Sequence, residues 1–328
     1  MKKEIKIAFI ADDIRNISEF GVFHNATFGL MIAAQEHKNV KILLTESKNL
    51  EIINNKVFAK FDEVVLKQEI GDHLKVKDTA EYCLDNLDII FVRKDPPVDQ
   101  SYLSLIQALY LVGNTNRKTN ARKPFIINHP AGILKANEKL YALNFPKFIP
   151  PTMLTINKDR LLAFLKEHKE AVIKSIFNKG GDGVFYLDSN SLNVNPIIEL
   201  CTSKGEIVLI QKYLPEVMKG DKRIILLKGE PIGGILRIPK EGEFRAHISR
   251  GASFKPLIFS KQDLKICQAL KPRLIRDGLY FVAIDIIGDY LIEVNVTCPA
   301  NLIETGQAVG KPLSKMVIDW AIKKTFVK

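Results

Sequence analysis

The stretch that most constrains this 328-residue chain is Val282 to Thr297, VAIDIIGDYLIEVNVT. Two strand-like runs flank a Gly288-Asp289 turn signal, which reads as a β-hairpin. Side chains alternate in facing along a strand. Val282, Ile284 and Ile286 therefore share one face of the first run, and Asp285 points the other way. On the second run Ile292, Val294 and Val296 are apolar, while Glu293 and Asn295 point together to the opposite side. A three-residue loop, Gly288-Asp289-Tyr290, pairs Asp285 with Glu293. A two-residue loop pairs Asp285 with Ile292 and loses the pattern. Carboxylates facing each other across a hairpin repel. A hard cation removes that cost, and Mg²⁺ is usually held by one or two carboxylates plus phosphates. Asn295 adds a neutral oxygen about 7 Å along the same face. The same pattern also describes a hairpin with one wetted face, so the choice rests on the remainder of the chain.

The length allows two or three domains. Hydrophobic residues make up 46%, enough for a sizeable core. The longest apolar runs, such as IILL and IVLI, are of strand length, and none nears the roughly 20 residues of a membrane helix. Met1-Lys2-Lys3 leads straight into IKIAFIAD, without a signal-peptide pattern. Cys83, Cys201, Cys267 and Cys298 form no C-x-x-C pair, so neither a zinc site nor a disulfide framework is expected. These features fit a cytoplasmic protein with no membrane contact. The net charge of +11 suits anionic ligands. Its basic residues are scattered, without interleaved aromatics, so nucleic acid is not an expected partner.

Residues 4–12 read as a buried strand, and Ala26 to Gln35 as a helix. Strands follow at 40–45, 87–95 and 124–130, with helical runs near 78–86 and over Tyr102 to Val112. Alternating strands and helices imply a largely parallel α/β layer. The stretch 113–123 reads as a basic loop. No G-x-G-x-x-G follows the first strand, which argues against a dinucleotide site. Ligands of such sheets bind beyond the strand carboxyl ends. That places Asp12, Asp13 and the segment Arg93-Lys94-Asp95-Pro96-Pro97 at a candidate site. Arg93 has the fork geometry to clamp a carboxylate; a charged turn stiffened by two prolines is the alternative.

A helix is expected over 131–145, and Pro150-Pro151 marks a boundary. A strand over 152–156 precedes Asn157, an N-cap for a helix over 159–168. AVIKSIF at 171–177 is a strand carrying Lys174. It enters Asn178-Lys179-Gly180-Gly181-Asp182-Gly183 and leaves as the strand VFYLD. Glycine lets backbone N–H groups approach phosphates, and a lysine in an apolar strand needs a partner. A nucleotide phosphate serves both; a flexible hairpin with a snorkelling lysine is the alternative. Strands follow at 207–214, from Asp221, and through IGGILRIP, which presents Arg237. Residues 240–256 form a polar stretch, 261–277 a helix, 297–310 a loop and 312–325 a last helix.

The blocks RKDPP (93–97), NEKL (137–140), the Lys174 strand with its glycine loop, QKYLP (211–215), GDKR (220–223), GEP (229–231), RIP (237–239) and the segment 278–299 occur in a specific order and spacing. In these the chain resembles the bacterial glutathione synthetases of the ATP-grasp superfamily, over essentially its whole length. The resemblance implies an α/β (α+β) ATP-grasp fold. A pre-ATP-grasp α/β substrate-binding domain would cover 1–125 and an ATP-grasp domain 126–328, its small lid subdomain at about 126–205 and its catalytic subdomain at 206–328. It implies ligation of γ-glutamylcysteine to glycine with ATP, in the presence of Mg²⁺ or Mn²⁺, by a homotetramer.

Carried over by position, Lys139 and Lys174 would contact nucleotide phosphates, and Gly180, Gly181 and Gly183 would form the lid loop. Gln211, Lys212, Tyr213 and Leu214 would meet the adenine, and Asp221 the ribose side. Asp285, Glu293 and Asn295 match the metal ligands. Arg223 and Arg237 would stabilise the transferring phosphoryl group; Arg93, Arg245 and Thr297 would bind substrate. The family carries an adjacent glycine pair in a mobile loop where this chain has Gly251-Ala252, so a stiffer lid is expected. The rival readings are another ATP-grasp carboxylate–amine ligase acting on a different peptide or amino acid, a nucleotide-binding module without catalysis, and a basic nucleic-acid binder.

Overall fold

The computed structural model describes residues 4–12, 14–113, 123–178 and 180–326, the side chains of Glu19 and Phe20 excepted. Asp13, Lys179 and residues 114–122 of the expected basic loop lie outside the described residues. Among the described residues the strands form three sheets.

The first sheet holds β1 (Ile5–Ala11), β2 (Val40–Thr45), β3 (Leu50–Ile53), β4 (Lys56–Leu66), β5 (Leu74–Cys83), β6 (Ile89–Arg93) and β7 (Phe125–Ile127). β1 pairs in parallel with β2 and β6, and β6 with β7. Ile7, Ala8, Phe9 and Ile10 are fully buried, as a parallel strand covered on both faces requires. β7 straddles the expected division at 125/126. The second sheet is antiparallel, with β8 (Thr152–Thr155), β9 (Glu170–Ser175), β10 (Val184–Asp188) and β11 (Val208–Lys212) in the order β10-β9-β11-β8. The third is also antiparallel, with β12 (Asp221–Leu227), β13 (Glu230–Ile238), β14 (Ser253–Pro256), β15 (Phe281–Ile287) and β16 (Tyr290–Asn295) in the order β14-β13-β12-β15-β16.

The helices are α1 (Glu19–His24), α2 (Ala26–Gln35), α3 (Gln100–Leu111), α4 (Pro130–Lys135), α5 (Glu138–Tyr141), α6 (Lys158–His168), α7 (Val194–Thr202), α8 (Lys261–Arg276), α9 (Leu302–Val309) and α10 (Leu313–Phe326). Two cores each join the first sheet to the third. One packs Ile10, Ile90 and Val92 with Ile224, Ile284 and Ile286. The other packs Phe9 and Phe91 with Ile225, Phe281 and α10 residues such as Val317. The second sheet has a separate core, with Ile173 and Ile210 against Leu161, Phe164 and Ile198. A small sheet with its own core therefore stands over a larger body formed by the other two. None of the described helices is long and apolar enough to cross a membrane.

Several expectations are corrected. Residues 78–83 of the expected helical run belong to β5, paired with β4 from Phe58↔Cys83 to Leu66↔Leu74, and only Leu84–Asn86 form a short 3-10 turn. Cross-strand pairing overrides the helical preference of DTAEYC. The helix over 131–145 is broken: Ala136 is extended, and Asn137 starts α5 by accepting from the N–H groups of Lys139 and Leu140. The loop over 297–310 contains α9, and α7 arises where no element was expected. The Pro96–Pro97 peptide is cis.

Candidate active site

A pocket of about 760 Å³ opens between the second and third sheets, walled also by α1 and the Asn301 turn. Its floor is the hairpin of β15 and β16. Asp285 pairs with Glu293 as expected, by a different route. The turn has two residues, with Ile287 opposite Tyr290, and a β-bulge between Asp285 and Ile286 absorbs the extra residue. The bulge also changes the facing. Leu291, Val294 and Val296 enter the core, while Ile292 joins Glu293 and Asn295 on the pocket wall.

Register across the third sheet places Arg223 opposite Asp285, and Asp221 opposite Arg237. Arg223 donates from Nε and Nη2 to the two oxygens of Asp285, at 2.8 and 2.7 Å. Arg237, only 1% exposed, grips both oxygens of Asp221 at 2.7 Å each and lies 3.1 Å from Asp285. Asn295 donates from Nδ2 to Asp285 at 3.3 Å. Burial opposes the Asp285 charge, but Arg223 and Arg237 outweigh it and hold the carboxyl well below its usual range. Burial, with the neighbouring Asp285 charge, pushes Asp221 up to about 6. Asp221 lines the pocket with both carboxylate oxygens on Arg237. The repulsion foreseen between Asp285 and Glu293 is met on the protein side by arginine and by Lys139, whose Nζ is 3.3 Å from Glu293.

The opposite wall is different. Lys174, on β9, is 7% exposed and makes no hydrogen bond or ion pair with a described residue. Burial, the dominant effect, lowers its pKa to about 8. Lys139 donates to the Asn178 carbonyl at 2.6 Å, which fixes the entry to the glycine loop. Gly180 and Gly181 line the pocket; Gly183 does not. With φ at +67°, Gly183 turns the chain back into β10. Gln211, Lys212, Tyr213 and Leu214 all line the pocket, beside the apolar side chains of Val172, Val184, Ile287 and Ile292. The N–H groups of Lys212 and Tyr213 are taken by the carbonyls of Pro151 and Glu170.

The loop over 240–252 closes onto the glycine loop. Arg245 donates to the Gly181 carbonyl at 3.0 Å and Arg250 to the Gly180 carbonyl at 2.8 Å; Arg250 also pairs with Asp182. At Gly181, where φ is +77°, a Cβ would stand 3.0 Å from both Arg245 Cδ and His247 Cδ2. The loops meet that closely because this residue is glycine. Arg245 is meanwhile bound to Glu243 through Nε and Nη2, at 2.9 and 2.6 Å.

Arg93 is the clearest displacement. It is buried off the pocket, bonded to the Thr27 hydroxyl at 2.9 Å and the Pro299 carbonyl at 3.0 Å. It holds the first sheet to the Thr297–Asn301 turn, with Nη1 left without a hydrogen-bond partner among the described residues. Thr297 lies in the wall with its N–H and hydroxyl turned to Glu138. Glu138 and His247 are among the pocket residues that had no assigned role in the sequence reading. Glu138 stood inside the NEKL block, where only Lys139 was used. His247 offered no spacing signal; burial, Arg237 and Arg223 push its imidazole down to about 4.

Asp285, Glu293 and Asn295 present oxygen donors alone. Among the described residues no group of three His, Cys, Asp or Glu residues forms a metal site by itself. Two carboxylates and an amide suit a hard dication whose remaining positions are filled by phosphate or water.

The prokaryotic glutathione synthetase N-terminal domain matches residues 5–133, and the ATP-grasp domain of the same family matches residues 138–310. The glutathione synthetase of Synechocystis is 38% identical over 98% of this chain and 100% of its own length. That of Coxiella burnetii is 35% identical over 92% and 91%. Two solved structures share the fold. D-alanyl-alanine synthetase A from Vibrio cholerae has a TM-score of 0.61 at 13% identity, covering all of both chains. The D-cycloserine synthetase DcsG has 0.64 at 12% identity, covering 96% of this chain and 99% of its own. The chain belongs to the prokaryotic glutathione synthetase family and is an ATP-dependent ligase.

Proposed function

We propose that this pocket joins γ-glutamylcysteine to glycine, with the ATP phosphates lying between the second and third sheets. The observation that carries the placement is Lys174, a buried cation on the pocket wall with no hydrogen-bond or ion-pair partner among the described residues, whose burial outweighs the more distant Glu293 and Asp285. A buried charge is costly unless paired, and a phosphate oxygen supplies the missing partner. Lys139 lies at the same wall. The apolar surface of Val172, Val184, Ile287 and Ile292 receives the base near Gln211 to Leu214.

Mg²⁺, or Mn²⁺ in its place, would be held by Asp285, Glu293 and Asn295 and would neutralise phosphate oxygens when bound. Arg223 and Arg237, fixed by Asp285 and Asp221, face the transferring group without having to reorganise. The cysteinyl carboxylate attacks the γ-phosphoryl group, giving an acylphosphate and ADP. The glycine amine attacks the acyl carbon, and phosphate leaves. Phosphoryl transfer asks for positioning and charge neutralisation more than covalent help, so Cys298 has no covalent role. The loop over 240–252 shields the acylphosphate from water. We assign the lid subdomain to 126–205 and the catalytic subdomain to 206–328, with β7 bridging the first boundary and β11 completing the lid's sheet. A cytoplasmic homotetramer completes the proposal.

Phosphate release from ATP tests the donor and acceptor, with γ-glutamylcysteine and glycine each omitted in turn. Release that requires both is expected. Release that needs neither, or that needs a different amino acid or peptide, contradicts the reading.

A further inference from the structure

The pocket's two walls are not independent. The triplet Asn137-Glu138-Lys139 begins α5 and reaches both. Asn137 donates from Nδ2 to the Ile176 carbonyl at 2.8 Å, and Lys139 donates to the Asn178 carbonyl at 2.6 Å. Both acceptors lie where β9 passes into the glycine loop. On the other side Lys139 meets Glu293, and Glu138 binds the end of β16. A single oxygen, Glu138 Oε1, accepts from the N–H of Val296 at 3.0 Å, the N–H of Thr297 at 3.0 Å and the Thr297 hydroxyl at 2.6 Å. These partners are about 160 residues away in sequence, at separations of 158 and 159.

Val296 and Thr297 directly follow Asn295. Beyond Asn295 the strand no longer pairs with β15, whose last partner there is Ala283. Nothing in the sheet ladder fixes the chain at that point. The three bonds to Glu138 take over on the pocket side, while Asn128 Nδ2 holds the Val296 carbonyl at 2.8 Å from the core side, and together they set the direction in which the strand leaves the pocket floor. We infer that Glu138 is a positioning residue for the metal ligands, holding the end of β16 so that Glu293 and Asn295 face the pocket together. One carboxyl oxygen that accepts three donors is a firm anchor for a chain end. The neighbouring Lys139 couples the same strand to the glycine loop, so the triplet sets the distance between phosphate contacts and metal ligands. The inference rests on the assignment of Asp285, Glu293 and Asn295 as those ligands.

Glu138→Gln keeps the size and removes the charge. Two binding measurements on the purified full chain test it. One is ADP affinity with EDTA present; the other is Mn²⁺ affinity of the ADP complex, read by electron paramagnetic resonance. Outer-sphere partners of metal ligands are typically worth about 10- to 100-fold in metal affinity. Glu138→Gln should therefore weaken Mn²⁺ by about tenfold or more, with metal-free ADP affinity within about twofold of the unaltered protein. Thr297→Val deletes one of the three donors and should weaken Mn²⁺ by about threefold, which keeps the test open should Glu138→Gln not fold. Unchanged Mn²⁺ affinity in the folded variants overturns the inference, as does an equal loss of metal-free ADP affinity. Glu293→Gln, measured alongside, separates the two levels. If it too leaves Mn²⁺ binding unchanged, the ligand assignment has failed and the inference falls with it.

Discussion

The two walls of the pocket carry charge in opposite ways. On the third sheet, Asp285, Arg223, Arg237 and Asp221 saturate one another with short, mostly bidentate bonds. On the second sheet, Lys174 is as deeply buried and has no hydrogen-bond or ion-pair partner among the described residues; Glu293 and Asp285 act on it only at longer range, and burial outweighs them. The first arrangement is complete before any ligand arrives, so it is a rigid template. The second is a deficit that a bound anion completes. Burial therefore does not by itself say how a charged residue is prepared for a ligand: Arg223 and Arg237 are held in place by protein carboxylates, whereas Lys174 has no hydrogen-bond or ion-pair partner among the described residues.

The largest effect should come from breaking the saturated wall. Asp285→Ala leaves Arg223 and Arg237 buried with one carboxylate between them, and removing one partner of such a network costs about 3–5 kcal/mol. Urea unfolding measures it, and a loss below about 1 kcal/mol would mean that the network is not structural. Glu293→Gln separates function from folding on the same hairpin. The Glu293 side chain keeps 19% of its surface exposed and glutamine keeps its size and an oxygen acceptor for Lys139, so stability should change little. Phosphate release should fall by about 10²- to 10³-fold, the scale for removing one preorganised electrostatic contact. Near-normal release at modest Mg²⁺ would sink the metal assignment. Shortening residues 242–252 is the gentlest cut. ATP affinity should stay nearly the same, while the ratio of phosphate released to peptide formed rises above one. A ratio that stays at one means the loop is no lid.

The hairpin shows how far the sequence could be read. Its alternation and the Gly288-Asp289 turn made the Asp285–Glu293 pairing legible. The bulge was not, because it depends on which of Leu291 and Ile292 packs better against the core. The strand, glycine loop and strand around Lys174 were legible for the same local reason. Misreadings came where tertiary contacts decide. DTAEYC becomes an edge strand only because β4 is there to pair with it. Arg93 was placed at the ligand from its position after a strand, yet Thr27 and Pro299, distant in sequence, hold it off the pocket. Glu138 had the same invisibility: its partners are about 160 residues away, and no spacing rule reaches that far.

The central claim is that nucleotide phosphate supplies the charge missing at Lys174, and a proton count tests it most directly. Burial holds the Lys174 pKa at about 8 in the free protein, below the usual lysine value near 10.4. Unfolding restores that usual value, so the unfolded chain binds more protons between about pH 8 and 10.4, and stability gains from Lys174 as pH rises through that window. Phosphate acts in the opposite direction and favours the charged ammonium. At pH 9 the free lysine is mostly neutral, so ATP binding must take up a proton. Calorimetry of ATP binding at pH 9, in two buffers of different ionisation enthalpy, reads that uptake. The account predicts uptake approaching one proton, with affinity falling as pH rises above about 8. In Lys174→Met the uptake should vanish and affinity should drop by about 10- to 100-fold, with stability undiminished. Equal proton uptake and equal affinity in the two proteins would contradict it.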